Sequence, residues 1–276
     1  MSAPETFGVM GLGRMAQALL SPLLDEGLIP RQAVRAAVAT EVSAAAARER
    51  LGCVVTTASE AVWSAPVVLL AIKPQQLQAL AQARVDHGGQ AVPAGFLGPK
   101  PLLISVLAGV TLQRLEQSFP GWACIRVVPN TPVLVRQGLT ALACGASVSP
   151  EQAAWVSQLF CRVGEVHLLP EAQLDAFLAL TSSGPAFAAL ICEALADGGV
   201  AAGLPRGLAL PLAERMLAGS MALLEQQGLH PAELKDMVAS PAGTTVAGLR
   251  VLERSGVRSA LLEAVLAAAE RSRALA

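Results

Sequence analysis

At 276 residues, with 53% of them hydrophobic and only 15% charged, the chain carries more apolar surface than one monomeric core normally buries, so a buried subunit interface is expected. A formal net charge of −1, with no basic run anywhere, excludes a nucleic-acid surface as the main function. Five scattered cysteines, Cys53, Cys124, Cys144, Cys161 and Cys192, never spaced C-x-x-C, fit reduced core residues of a cytoplasmic protein and not a disulfide scaffold.

The first element is a short apolar strand from Phe7 that runs into Gly11-Leu12-Gly13-Arg14-Met15-Ala16, with an apolar helix pattern from Met15 to Leu24 behind it. Six residues precede it without a basic start or a cleavage site, so a signal peptide is not expected. This G-x-G-x-x-A run is the dinucleotide fingerprint. Gly11 permits the tight turn, Gly13 lets the backbone approach a pyrophosphate, and small Ala16 lets the helix lie close to the strand with its first N–H groups facing the phosphates. The plainer reading, a glycine turn that binds nothing, is disfavoured because the motif lies between a strand and a helix near the N-terminus.

Strand and helix then alternate. Strands are predicted at Val34–Ala39, Cys53–Thr56, Pro66–Ile72, Leu102–Leu107, Ile125–Val128, Thr140–Cys144 and Glu165–Leu168, with helices at Ser43–Leu51, after Thr111, and at Pro150–Val163. The fourth strand is almost wholly aliphatic, as a strand buried on both faces should be. Lys73-Pro74 ends it, and the Pro- and Gly-rich run from His87 to Pro101 reads as a surface loop. The pattern specifies a doubly wound parallel sheet over residues 1–169.

From residue 170 to 276 the period is helical throughout, with helices near 171–180, 184–202, 206–226, 231–239 and 243–273, the last broken around Gly256. Pro211 should kink the third or mark its true start. The most apolar stretch, Gly184 to Leu204, carries Glu193 and Asp197 and several glycines, and reads as a buried helix and not a membrane span. His87, His167 and His230 are far apart without ligand spacing, so no metal site is assigned; His230 reads as a helix opener before Pro231.

Two further clusters carry chemistry. Ser240-Pro-Ala-Gly-Thr-Thr245 precedes an apolar helix, so its N–H groups and hydroxyls can form an uncharged cradle for an anion; a Ser/Thr helix cap explains one such residue and not the run. Lys73, Pro129 and Asn130 stand at strand ends, where a cofactor crevice would open. For the cofactor the reading leans to NADPH without excluding NADH. If Thr40 ends the second strand, a 2′-phosphate is tolerated and Arg14 can approach it, which favours NADPH; if Glu41 does, NADH is favoured.

Taken together, several motifs resemble those of the pyrroline-5-carboxylate reductases. They are Gly11 to Ala16, Ala71-Ile72-Lys73-Pro74, Ser105-Val106-Leu107-Ala108-Gly109-Val110, Arg126-Val127-Val128-Pro129-Asn130-Thr131-Pro132, Leu180 to Phe187, Ala196 to Val200, His230 to Asp236 and Ser240 to Thr245. The resemblance implies an N-terminal Rossmann-type domain and a C-terminal all-helical substrate and dimerisation domain. It also implies reduction of the cyclic imine 1-pyrroline-5-carboxylate to L-proline by NADPH, with NADH possible, in the cytoplasm and away from any membrane. Ser240, Gly243 and Thr244 would grip the substrate carboxylate, Thr245 would lie near the ring nitrogen, and Lys73 near the nicotinamide. Gly11, Leu12, Gly13, Arg14, Met15, Ala16, Thr40, Ala71, Lys73, Pro74, Ala108, Gly109, Pro129 and Asn130 would line the cofactor site. Interleaved homodimers through the helical domain are implied, gathered into a larger ring such as a decamer, with pockets that share groups from two chains. The family pattern has Gly at Ser182, Tyr at Phe187 and Gly at Ala242.

Three other readings are set against this, one of them a reductase of the same type acting on a relative of that substrate such as a six-membered cyclic imine or an ornithine-derived analogue. A β-hydroxyacid dehydrogenase opens in a similar way but uses a lysine in its helical domain, and here the only lysine after residue 169, Lys235, is outside the Ser183-Gly184 region where that family places it. A catalytically inactive nucleotide-binding subunit would have no need of the intact Ser240 to Thr245 run.

Overall fold

The computed structural model describes residues 3–86 and 93–275. Its chain falls into two compact units, Met1–Ser182 with Ala269–Ala276, and Ser183–Ala268. Compactness therefore groups the segment from 171 to 182, and the C-terminal residues, with the sheet.

The first unit contains β1 (Phe7–Met10), α1 (Arg14–Asp25), β2 (Val34–Ala37), α2 (Glu41–Leu51), β3 (Val54–Thr56), α3 (Glu60–Trp63), β4 (Val67–Leu70) and α4 (Leu77–Asp86). It continues with β5 (Leu102–Ser105), α5 (Leu112–Ser118), β6 (Ala123–Val128), β7 (Gly138–Cys144), α6 (Pro150–Phe160), β8 (Gly164–Leu168) and α7 (Leu174–Phe177). Among the described residues the strands form one sheet in the order β3-β2-β1-β4-β5-β6-β7-β8. The order reverses direction between β1 and β4, and at such a switch the C-terminal strand ends diverge to leave a crevice.

Both faces of the sheet are covered. Val9, Leu69, Ile104 and Ile125 pack with Leu20 of α1 and Trp155 of α6 on one side. Met10, Leu70, Leu103 and Cys124 pack with Trp63, Phe119 and Trp122 on the other. All four residues of β4 and of β5 are buried, which explains their unbroken aliphatic pattern. Local signals set the helix ends: Thr40 Oγ1 accepts the Ser43 N–H to open α2, Gly52 at φ +63° closes it, and a Ser149–Gln152 capping box opens α6 before Pro150.

The structure departs from the sequence reading in several places. The sheet is not wholly parallel, because β7 pairs antiparallel with β6 and β8 runs parallel to β7. Only residues 129–137, built around the 3₁₀ turn Thr131–Val135, separate β6 from β7, and a parallel return needs a crossover of a dozen residues or more. Helix α4 fills a stretch for which no element was expected. The described part of the expected surface loop is tied down: Gln152 Nε2 donates to the carbonyls of Phe96 and Lys100, and Phe96 stacks edge-on against Trp155. Its residues 87–92, His87 included, lie outside the described residues. Of the cysteines, Cys53 and Cys124 are core residues, whereas Cys144 and Cys161 are exposed.

The second unit holds α8 (Gly184–Ala201), α9 (Arg206–Gln227), α10 (Pro231–Met237) and α11 (Thr244–Arg254); α12 (Val257–Arg273) starts there and ends in the first unit. Gly256 at φ +71° makes the expected break. Helix α9 runs through Pro211, which neither starts nor ends it. The expectation that α8 is buried fails within a single chain. Ala196 is its only buried residue, meeting Ala209 and Ala213 of α9, while Leu190, Leu195, Met216 and Met221 stay exposed. By length and composition alone, the segments Glu171–Ala201 and Arg206–Gln227 could cross a membrane. Glu193 and Asp197 on α8 and the ion pair between Asp197 and Arg206 disfavour that use.

Candidate active site

The cofactor-type residues predicted from sequence gather at one edge of the sheet. Gly11 N–H donates to Ala37 O at 2.9 Å, Ala71 N–H to Met10 O at 2.8 Å, and Val106 N–H to Leu70 O at 3.0 Å, so the segments leaving β1, β4 and β5 emerge side by side at the switch point. Gly11 has φ +88°, and a Cβ there would stand 2.7 Å from Ala71 O; packing alone demands glycine.

Gly13 is different. Its φ of −67° suits any residue, and nothing lies within 4 Å of where its Cβ would be. Neither fold nor packing needs glycine here, whereas a diphosphate approaching the backbone does. Gly13 is also the N-cap of α1, with no side-chain hydrogen bond and no acidic residue in the first turn. The first N–H groups of α1 are therefore available to an anion, with the helix dipole in support. Ala16 is buried against the core with Leu12, Met15 packs beside them, and Arg14 projects from the first helical position. These residues fit a dinucleotide.

Around the rest of this edge, Thr40 ends the segment after β2, and Glu41 is the first residue of α2, where it pairs with Arg48 at 2.7 Å. Lys73 is exposed after β4, its N–H donating to Gln76 Oε1 at the start of the Pro74–Gln76 turn. Ala108 is exposed and Gly109 turns at φ +69° after β5. Asn130, 4% exposed, is engaged at both ends: Oδ1 accepts the Leu139 N–H at 2.8 Å and Nδ2 donates to Thr181 O at 3.0 Å. Its side chain fastens the turn after β6 to the π-helical segment Leu178–Ser182. Ser182, where the family pattern has Gly, adds a bond from Oγ to Pro129 O at 3.1 Å.

The second cluster lies at the start of α11. Gly243, and not Ser or Thr, is its N-cap, and no side chain caps the helix. The hydroxyls of Ser240, Thr244 and Thr245 take no hydrogen-bond partner among the described residues. Capping therefore does not account for them, and three hydroxyls stand beside free helix N–H groups. A turn closed by Gly243 N–H to Ser240 O at 2.9 Å shapes the cradle. A Cβ on Gly243 would meet Ser240 Oγ at 2.3 Å and Ser240 O at 3.0 Å, so glycine is what lets the Ser240 hydroxyl reach over the helix end.

His230 caps α10, its Nδ1 accepting the Ala232 N–H, and Lys235 sits in the last turn of that helix. Among the described residues no group of three His, Cys, Asp or Glu side chains comes together to hold a metal. One residue was given no role from sequence: Arg126, buried in β6 and paired with Glu171 and Asp175. The available signal was a charge inside the aliphatic run Cys-Ile-Arg-Val-Val.

Comparison with known proteins shows the family. Residues 171–275 match the model for pyrroline-5-carboxylate reductase dimerisation, and residues 6–92 match that for NADP oxidoreductase, coenzyme F420-dependent. The pyrroline-5-carboxylate reductase of Synechocystis sp. is 47% identical over 209 residues, covering 76% of this chain and 74% of its own. That of Glycine max is 39% identical over 98% of this chain and 96% of its own. The crystal structure of Plasmodium falciparum pyrroline carboxylate reductase with NADP bound superposes with a TM-score of 0.85 at 25% identity, covering 100% of this chain and 99% of that one. With its motifs, its two domains and its relatives all in agreement, the chain belongs to the pyrroline-5-carboxylate reductase family.

Proposed function

We propose that the chain reduces 1-pyrroline-5-carboxylate to L-proline, the last step of proline biosynthesis, with NADPH as the hydride donor. The observation that carries this reading is the run of unengaged hydroxyls at the uncapped start of α11, a neutral anion cradle in a family of reductases. When bound, the reduced nicotinamide supplies a hydride to the imine carbon, while the ring nitrogen gains a proton. The chain's own part is to hold both molecules. Ser240, Thr244 and the N–H groups around Gly243 take the carboxylate. An exposed helix end is worth only about 0.3–1 kcal/mol to an anion, so the hydroxyls contribute much of the hold. Thr245 hydrogen-bonds at the ring nitrogen.

On the cofactor side, Gly11, Leu12, Gly13, Arg14, Met15 and Ala16 take the diphosphate. Ala71, Lys73, Pro74, Ala108, Gly109 and Pro129 line the nicotinamide half, and Asn130 sets the turn beside it. NADPH is preferred because Glu41 is drawn along α2 to Arg48, which leaves Thr40 and Arg14 to meet a 2′-phosphate. The NADP in the Plasmodium relative supports the same choice. Residues 170–276 serve as the substrate and dimerisation domain, through which two copies pair, with a decamer as the larger ring. The chain works in the cytoplasm and not in a membrane, in keeping with its free, scattered cysteines. Purified protein given pyrroline-5-carboxylate should oxidise NADPH faster than NADH and yield proline; preference for NADH would remove the Thr40 and Arg14 assignment.

A further inference from the structure

We propose that Arg126 is a positioning residue for the nicotinamide end of the cofactor site, acting through the turn between β5 and α5. The proposal rests on the assignment of Ala108 and Gly109 to that site. Arg126 lies in β6 in register with Ser105 of β5, and its side chain is 3% exposed. Its Nη1 pairs with Glu171 Oε1 at 3.2 Å, and its Nη2 lies 3.7 Å from Asp175 Oδ1.

Both acids reach onward, Glu171 to the end of that turn and Asp175 to the C-terminal segment that packs on it. Glu171 Oε1 also accepts the N–H of Leu112 at 2.7 Å, which fixes the point where the turn enters α5. Asp175 Oδ1 accepts the Ser272 hydroxyl at 2.7 Å, which anchors the last turn of α12. Beyond it, Leu275 packs so closely on Gly109 that a Cβ there would stand 2.9 Å from Leu275 O and 3.0 Å from its Cβ. One guanidinium thus hydrogen-bonds one carboxylate, itself bonded to the end of the Ala108–Gly109 turn, and stands in ion-pair range of a second that is bonded to the segment backing its middle. All of these groups belong to the first compact unit.

Stability alone is a weak reason for the arrangement. Arg126 Nε and Nη2 are buried without a hydrogen bond among the described residues, and a buried pair so incompletely satisfied is often matched or bettered by an apolar side chain of similar volume. What an apolar residue cannot do is fix both carboxylates at once, and a lysine, with a single point of charge, cannot fork between them.

The test is steady-state kinetics and direct NADPH titration on Arg126→Lys and Arg126→Met, alongside Ser272→Ala and Gly13→Val. We expect both Arg126 variants to weaken NADPH binding about tenfold, with KM for pyrroline-5-carboxylate at saturating NADPH within about threefold of the parent. Ser272→Ala, which frees only the C-terminal arm, should weaken NADPH binding about threefold. A folded Arg126→Lys protein with parental NADPH affinity overturns the proposal. If the Arg126 variants fail to fold, parental NADPH affinity in Ser272→Ala overturns it instead. Gly13→Val separates the two assignments: if it loses NADPH while Arg126→Lys does not, only the positioning role fails, and if it keeps NADPH, the cofactor site itself is misassigned and this proposal falls with it.

Discussion

Ala242 occupies φ +54° immediately before the N-cap of α11, a conformation that costs a residue with a Cβ about 1–2 kcal/mol. Ala242→Gly should remove that strain and raise stability by up to about 1 kcal/mol after the extra chain entropy of glycine is counted, readable by thermal or urea unfolding. Unchanged or lower stability would show that the turn is not strained. Its neighbour should behave in the opposite way. Gly243→Ala forces a methyl into the place of the Ser240 hydroxyl, so KM for the substrate should rise about tenfold or more with NADPH affinity intact. Thr245→Val keeps shape and removes one hydroxyl. If that hydroxyl bonds the charged substrate as the hydride arrives, kcat/KM should fall about ten- to a hundredfold, the equivalent of about 1.5–3 kcal/mol. A loss of about a hundred- to ten-thousandfold would make Thr245 the proton donor, and no loss would reduce it to part of a helix start. At this scale the sequence was informative about residue type and silent about use. The Ser240 to Thr245 run was visible as a cluster of hydroxyls before a helix, but that glycine and not a hydroxyl would cap the helix depends on backbone dihedrals. Asn130 and Arg126 were visible in a motif, yet their partners Thr181, Glu171 and Asp175 are remote in sequence.

Among elements, strands buried on both faces were legible because aliphatic runs are local signals, and although α2 opens at the Thr40 cap, ahead of the expected start at Ser43, α5 was legible from its cap Thr111. The reversal of β7 was not, since its cue is the shortness of the Thr131–Val135 link and not the composition of the strand. Helix α4 was hidden by weak amphipathicity in a run of Leu, Gln and Ala. The start of α1 carries a direct prediction. Gly13→Val should fold with parental stability, because φ is ordinary and the space is open, and should lose dinucleotide binding because the side chain occupies the diphosphate's approach. Isothermal titration with NADPH reads the second effect and circular dichroism the first; tight binding by a folded variant would refute the fingerprint assignment.

For the whole molecule, α8 and α9 bury small residues against each other and leave Leu190, Leu195, Leu208, Leu212, Met216 and Met221 exposed in the single chain. So much apolar surface on two adjacent helices is what an obligate subunit interface presents before its partner arrives. Such an interface would be the outlet that the composition calls for, and it would cover the face of α8 that is left bare within one chain. Light scattering should return a dimer or a multiple of one; a stable, active monomer would contradict it. The most direct measurement is the rate of NADPH oxidation by the purified protein with pyrroline-5-carboxylate, with proline quantified as product. The account predicts one proline formed per NADPH consumed, and a rate that collapses in both Gly13→Val and Thr245→Val. A folded, oligomeric parent protein that binds NADPH yet leaves pyrroline-5-carboxylate unreduced would contradict it.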